Sequence, residues 1–109
     1  MTFGNGNFGD AMHLSIADAM QAKFPSVPFK FNVLPGETGP DIEVPSRYVN
    51  TVGFPYGEIK PVGPSGEAAF NGQVQNWVGN GTIPSNSSVQ LITYDANGNV
   101  NLSYTNVPK

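Results

Sequence analysis

Charged and apolar residues alternate in two short segments of this chain: DIEV, which begins at Asp41, and YGEIK, which ends at Lys60. Side chains two positions apart in a β-strand point to the same face of a sheet, so this alternation predicts two strands. Asp41 would then share a face with Glu43, and Glu58 would share a face with Lys60. If the two strands pair, one face carries three carboxylates and a lysine, and the other packs on the core.

The residues alone leave two interpretations of this charged face open. The first is a hairpin whose charged face is solvated. The second is a cation site, because carboxylates held close together raise one another's pKa unless a cation neutralises them. A divalent ion with oxygen ligands does this, and a lysine beside it suits a phosphoryl oxygen or an attacking water. The chain has only eight acidic and five basic residues in 109 positions, so the local charge density is unusual.

The remaining sequence predicts a single α/β domain of the α+β type over residues 1–109. Residues 1–9 are rich in Gly and Asn, which predicts an irregular lead-in. Apolar periodicity and turn residues predict the order helix, three strands, helix, two strands. The predicted helices cover 10–24 and 66–78, and the predicted strands cover 28–34, 41–44, 54–62, 89–94 and 100–104. Asp10 and Ser65 are the predicted helix caps, and 45–53 is predicted to be a connection.

Composition excludes some classes of function. The absence of cysteine excludes disulfides and thiolate metal sites. No segment approaches the roughly 20 apolar residues of a membrane span, so none is expected. The formal net charge of −3 does not favour a general nucleic-acid binder, which is expected to be basic.

The segments Pro40-Asp41 and Glu58-Ile59-Lys60 resemble the motif of the PD-(D/E)xK nuclease superfamily, which shares the restriction-endonuclease fold. That core is helix, three antiparallel strands, helix and strand, the order predicted here as far as residue 94, followed by a C-terminal β-hairpin. The resemblance implies a nuclease that hydrolyses phosphodiester bonds with Mg²⁺ or Mn²⁺. It implies that Asp41, Glu58 and the Ile59 carbonyl oxygen bind the metal. Lys60 would orient, or help to deprotonate, the attacking water.

Further positions are similar to the branches of this superfamily related to bacterial recombination nucleases. Those branches carry Gln, three residues and then Tyr on the helix after the motif, and Gln73 with Trp77 holds this spacing. They often place a histidine near the metal on the first helix, and His13 is the single histidine of the chain. A solvated role for Gln73 and a packing role for His13 stay open. Asp10 is an acidic alternative on the first helix, although its position favours the cap.

Several neighbouring side chains have two possible roles. Glu43 is either a third metal carboxylate or a partner of Arg47. The aromatic residues Tyr48, Tyr56 and Trp77 could stack on bases, but core or turn packing is the favoured role.

The stretch GEIKPVGPSGEAAFNGQVQNW is also similar to the corresponding region of bacterial polymorphic toxins. This similarity implies a secreted toxin domain that is delivered into a target bacterial cell, acts in its cytoplasm and is blocked by a cognate immunity protein. DNA is the favoured substrate over RNA. The alternative function is a non-enzymatic α/β binding module of a secreted or phage-like particle.

Overall fold

The computed structural model describes residues 8–34 and 36–106. Its elements are, in chain order, α1 (Phe8–Lys23), β1 (Lys30–Phe31), β2 (Ile42–Glu43), a 3₁₀ helix (Ser46–Tyr48), α2 (Val49–Val52), β3 (Tyr56–Pro61), α3 (Pro64–Gly79), β4 (Val89–Tyr94) and β5 (Val100–Asn106). The five strands form one sheet in the order β1-β2-β3-β4-β5. Strands β3 and β4 are parallel and are joined by α3, whereas the other neighbouring pairs are antiparallel. The prediction of a mixed α/β domain is confirmed.

The two faces of the sheet bury two apolar clusters. Buried members of the cluster on the α1 face include Met12, Ile16, Ile42, Val44, Ile59 and Ile92. Buried members of the cluster on the α3 face include Phe70, Val74, Trp77, Val89 and Leu91. Strand β4 lies between the two layers, and all of its residues are buried. Within the described ranges, no helix is long and apolar enough to cross a membrane.

The predicted C-terminal β-hairpin is confirmed, and an Asn97-Gly98 turn joins β4 to β5. Asp95 Oδ1 accepts the Asn97 N–H at 2.9 Å and the Asn99 N–H at 3.0 Å, and Gly98 has a φ of 82°. An irregularity between Gln90 and Ile92 interrupts the ladder that follows. This irregularity is a β-bulge that adds one residue to β5, so the alternation of its side chains between the two faces of the sheet is reversed after the bulge. Val100 and Leu102 lie on the α1 face, and Tyr104 and Asn106 lie on the α3 face.

The first two strands are shorter than predicted. The predicted strand 28–34 is a strand only at Lys30–Phe31, and 41–44 is one only at Ile42–Glu43. Pro40 and Pro45 bracket β2, and proline has no N–H to donate to a ladder. The predicted strand 54–62 is also trimmed, to Tyr56–Pro61, while β5 continues two residues beyond its predicted end. The predicted connection 45–53 contains the 3₁₀ helix and α2.

The predicted N-terminal cap of the first helix is wrong. Helix α1 already includes Phe8 and Gly9, so Asp10 lies in its first turn, where a carboxylate interacts favourably with the helix dipole. Of the predicted lead-in over 1–9, residues 1–7 lie outside the described residues, and the last two are helical.

The predicted cap of the second long helix is also wrong. The N-cap of α3 is Gly63, and Pro64 occupies the first turn ahead of Ser65. Proline suits this position, because the first N–H groups of a helix have no intrahelical acceptor and its φ is already helical.

Helix α3 passes so close to the end of β3 that only glycine fits at position 66. A Cβ atom on Gly66 would collide with the Pro61 carbonyl oxygen and would lie 3.4 Å from the Lys60 Cβ. The backbone cannot move aside without shifting either the helix or the strand. Gly66 therefore fixes α3 against the strand that carries Glu58 and Lys60.

We expect Gly66→Ala to lower the free energy of unfolding by about 1–3 kcal/mol, because the added methyl group overpacks this contact. Gly72→Ala is the matched control, since Gly72 is exposed in the same helix and its Cβ would meet nothing within 4 Å. That change should raise the free energy of unfolding by about 0.5–1 kcal/mol through helix propensity. Urea denaturation measures both, and equal stabilisation by the two substitutions would contradict the packing account.

Candidate functional site

The carboxyl groups of Asp41 and Glu58, here called the carboxyl pair, meet where β2 pairs with β3. Ile42 lies opposite Gly57 in this ladder, which sets Asp41 opposite Glu58. The Asp41 N–H donates to Glu58 Oε1 at 2.9 Å, and the Ile59 N–H donates to Asp41 Oδ2 at 2.8 Å. Both acidic residues are buried, with 8% and 3% of their surfaces exposed. Strands β2 and β3 do pair, which was the condition for a shared charged face, and Asp41 lies immediately before β2.

Burial makes a negative charge on Glu58 costly. Desolvation is the largest influence on the pKa of Glu58, followed by the charge of Asp41 and a hydrogen bond with the Asp41 carboxyl group. These influences raise the pKa from 4.5 to about 8, although the Asp41 N–H and Lys60 oppose the shift. In the absence of a cation, the carboxyl pair therefore shares a proton at neutral pH.

His13 reaches the carboxyl pair from α1. Its Nδ1 lies 2.7 Å from the Gly9 carbonyl oxygen, and its Nε2 lies 3.3 Å from Asp41 Oδ2. A carbonyl oxygen only accepts, so Nδ1 carries a hydrogen, and Nε2 can donate to Asp41 only when the ring is protonated. Burial is the largest influence on the pKa of His13 and lowers it. The hydrogen bonds to Asp41 and Gly9, with the charges of Asp41 and Glu58, outweigh burial and raise the pKa above 6.5.

Lys60 approaches Glu58 on the outer side of the carboxyl pair. The two residues share a face of β3, as predicted, and Lys60 Nζ lies 3.5 Å from Glu58 Oε2. The Lys60 side chain is 19% exposed and that of Glu58 is 5% exposed, so Lys60 is the more solvent-accessible member of this ion pair. The Ile59 carbonyl oxygen faces the side of β3 that meets Asp41, because the N–H and C=O of one strand residue point to the same neighbour.

Glu43 belongs to a second cluster instead of to the carboxyl pair. Its Oε2 accepts a hydrogen bond from Asn32 Nδ2 at 2.8 Å and lies 3.5 Å from Lys30 Nζ. Of the two roles left open for Glu43, the pairing with Arg47 is not found, because Lys30 lies directly opposite Glu43 in the ladder of β1 and β2. Arg47 instead donates to the Tyr48 hydroxyl group and stacks on that ring.

Asn32, which no sequence pattern singles out, fixes the chain around Asp41. Its Nδ2 donates to the Pro40 carbonyl oxygen at 2.8 Å, and its backbone N–H donates to the Asp41 carbonyl oxygen at 2.9 Å. With the bond to Glu43, these contacts hold the start of β2 against β1. The one signal in the sequence is an amide within the otherwise apolar run FNVL, which is too common a feature to identify a site.

Gln73 lies on the helix that covers the Glu58 face of the sheet. Leu91, which belongs to the α3 cluster, lies opposite Glu58 in the ladder of β3 and β4. Gln73 Oε1 is shielded from solvent and has no hydrogen-bond partner in the described part of the chain. No hydrogen bond links Gln73 to the carboxyl pair within the described residues, so its place in the site stays a prediction. Trp77, at the position of the family tyrosine, is buried in the α3 cluster, the packing role that was favoured.

The two tyrosines that were considered for base stacking also pack on the apolar clusters. Tyr48 lies against the α1 cluster and Tyr56 lies against the α3 cluster. The favoured packing role is therefore confirmed for both.

The oxygen atoms around the carboxyl pair suit a small divalent cation. A cavity of about 160 Å³ opens beside it, lined in part by Asp10, His13, Asn32, Glu37 and Asp41. Among residues 8–34 and 36–106, no three His, Asp or Glu side chains are arranged as a ready metal-binding group. A cation would therefore rest on two carboxylates, the Ile59 carbonyl oxygen and water. Mg²⁺ accepts such a sparse protein set, because it keeps several waters.

We expect the fold to lose stability as pH rises between 4.5 and about 8 in metal-free buffer. In this range the folded chain holds a proton on the carboxyl pair that the unfolded chain releases, so the free energy of unfolding falls by up to about 1.4 kcal/mol per pH unit. The raised pKa of His13 acts in the same direction, because its contribution is complete below pH 6.5 and is lost as pH rises through the folded value.

Urea denaturation at several pH values measures this dependence. Glu58→Gln should flatten it, whereas Glu67→Gln, a change of an exposed carboxylate on α3, should leave the wild-type dependence intact. A free energy of unfolding that rises with pH in the wild type would contradict the account of the carboxyl pair.

Comparison with models of known protein families, with curated proteins and with solved structures finds no match to this chain. The mixed fold and the contacts of the carboxyl pair are therefore the basis for an assignment of function. The likeness to PD-(D/E)xK nucleases and to polymorphic toxins stays a prediction.

Proposed function

We propose that this domain is a metal-dependent nuclease that hydrolyses phosphodiester bonds, with DNA favoured over RNA and with Mg²⁺ or Mn²⁺ as the cofactor. The observation that carries the proposal is the convergence of two buried carboxyl groups from paired strands beside a lysine ammonium group. Asp41 and Glu58 are 17 positions apart in the sequence, yet each accepts a backbone hydrogen bond from the strand of the other. The element order from α1 to β4 is compatible with a restriction-endonuclease-like core.

Asp41 and Glu58 would hold the metal ion, with the Ile59 carbonyl oxygen as a third protein ligand. A bound ion would lower the pKa of a water molecule and neutralise the charge that develops on the phosphoryl oxygens. The carboxyl pair gives up its shared proton on binding, because the proton and the cation neutralise the same negative charges.

The remaining site residues would position the reacting groups. Lys60 orients the attacking water and offsets negative charge near the phosphorus atom, which suits a compact ammonium group at the edge of the buried site. His13, when its ring is protonated, donates to Asp41 Oδ2 and so fixes the orientation of that carboxylate. We assign Gln73 to the flank of the site, where its buried Oε1, which has no hydrogen-bond partner in the described part of the chain, would accept a hydrogen bond from an internal water.

The similarity to polymorphic toxins supports a role as a secreted antibacterial toxin domain that acts in the cytoplasm of the target cell. The producing cell would then need a cognate immunity protein. A basic patch on that inhibitor would increase its rate of association with this chain, because the chain has a negative net charge. An Arg or Lys inserted near the carboxyl pair would replace the charge of the metal ion.

One observation favours a second candidate function. Lys30 and Lys60 are both paired with carboxylates, so they contribute little free positive charge for phosphate groups. An acidic domain with few free cations also suits a non-enzymatic α/β binding module of a secreted or phage-like particle. In that case the carboxyl pair would have a structural role only.

An assay with supercoiled plasmid and with bulk RNA, in Mg²⁺, Mn²⁺ or EDTA, separates the two functions. The wild-type domain should cleave DNA only with a metal ion. Glu58→Gln and Lys60→Met should each lower the cleavage rate by at least about 100-fold, because they remove a metal ligand or the group that positions water. Glu67→Gln is the control and should retain the wild-type rate. A folded wild-type domain that cleaves neither substrate with either ion would contradict the nuclease proposal.

Expression in bacteria without a partner tests the toxin role. The wild-type domain should reduce colony formation, and Glu58→Gln should restore it at an equal level of folded protein, because the change removes the proposed activity. An active nuclease in vitro that is harmless in the cytoplasm would contradict the toxin role but leave the reaction intact.

A further inference from the structure

Strand β5 forms one edge of the sheet. It pairs with β4 on one side and is the last strand in the sheet order of the described residues. Its sequence, VNLSYTN, contains neither a charged residue nor a proline, the features with which edge strands commonly resist further pairing. Most of its residues are exposed. The edge therefore offers backbone donors and acceptors to another strand.

The pattern of hydrogen bonds shows which backbone groups of β5 point outward. The Asp95 N–H donates to the Asn99 carbonyl oxygen at 3.0 Å, so Asn99 faces β4. Residues of an antiparallel ladder alternate between facing their partner and facing away from it. Val100 and Leu102 therefore direct their N–H and C=O groups away from β4, and Asn101 directs its groups toward it.

The same two outward-facing residues expose apolar side chains. Val100 is 45% exposed and Leu102 is 65% exposed. Together with Ala19, Met20 and Lys23 of α1 and Ile92 of β4, they line a groove of about 200 Å³ on the α1 face. A largely apolar groove thus runs along the segment of β5 whose backbone is open to pairing.

We propose that β5 pairs with β5 of a second copy of this chain, antiparallel about a two-fold axis at Asn101. Val100 of one copy then lies opposite Leu102 of the other, and their outward N–H and C=O groups bond to each other. Four exposed apolar side chains meet on the α1 face beside the two grooves. The result is a continuous sheet of ten strands, and the carboxyl pair, two strands away from β5, stays open in both copies.

The charge of β5 and the register of the pairing favour a second copy of this chain as the partner of β5. The strand carries no charge in a chain with a net charge of −3, so the two paired strands bring no like charges into contact. The register is self-complementary, as a two-fold interface requires. A slip of one residue would set Val100 and Leu102 against polar side chains. The bulge that follows Leu102 limits the pairing to the part of β5 before Tyr104.

The absence of cysteine from the chain allows a direct test of the register. In Asn101→Cys the two thiols would occupy directly opposed positions with Cβ atoms about 4.5–5.5 Å apart, so mild oxidation should yield a covalent dimer. In Ser103→Cys the matching Cα atoms would be roughly 13 Å apart, too far for a disulfide. Crosslinking of Asn101→Cys alone supports the proposal, and crosslinking of both variants equally, or of neither, overturns it.

Sedimentation equilibrium tests the interface without a crosslink. The wild-type domain should associate into a dimer, and Leu102→Lys should raise the dissociation constant at least about tenfold, because it places ammonium groups at the pairing edge. Leu34→Lys is the matched control, since Leu34 is 56% exposed and lies beyond β1 at the opposite edge of the sheet. Circular dichroism confirms that each variant is folded. A wild-type domain that stays monomeric at high concentration, or equal dissociation constants for both variants, would overturn the proposal.

Discussion

Two hydrogen bonds where β2 meets β3 hold the carboxyl groups of Asp41 and Glu58 together in the interior of the protein. Asp41 donates its N–H to Glu58 and accepts the N–H of Ile59, so each strand supplies a carboxyl group and the donor that holds the carboxyl group of the other. This exchange anchors the start of β2 to the middle of β3. It also brings two acidic groups together away from water, which is costly unless a proton or a cation neutralises them. The chemistry of the site follows from that requirement.

The apolar layers on both faces of the sheet hold the carboxyl pair in place. Ile42 and Ile59, the residues that follow the two acids, are fully buried in the α1 cluster and cannot rotate toward solvent. On the other face, α3 is fixed against β3 through Gly66. Lys60, and His13 when its ring is protonated, contribute positive charge from different elements, so the two acids are partly balanced before any metal ion binds.

The sequence predicts those features that depend on local periodicity. Alternation in DIEV and YGEIK predicts β2, which Asp41 immediately precedes, and β3, on which Glu58 and Lys60 lie, and the run VQLITY predicts β4 with its observed bounds. The ends of elements are predicted less well, because prolines bracket β2 and Gly63 with Pro64 starts α3 earlier than a serine cap would.

Contacts between distant segments could not be derived in the same way. The three hydrogen bonds of Asn32 depend on how β1 packs beside β2, and the pairing of Glu43 with Lys30 depends on their register. Neither leaves a periodic signal in the chain. The position of His13 beside Asp41 was expected from a family resemblance, but the bond from Nδ1 to Gly9 that sets its protonation is visible only in three dimensions.

Calorimetric titration of Mn²⁺ in two buffers of different ionisation enthalpy tests the central claim most directly, namely that a proton and a cation compete for the carboxyl pair. The wild-type domain should bind one ion, release about one proton near neutral pH and bind more tightly as pH rises toward about 8. Glu58→Gln should lose both the binding and the release. Binding with no proton release and no dependence on pH, or binding that survives Glu58→Gln unchanged, would contradict the account.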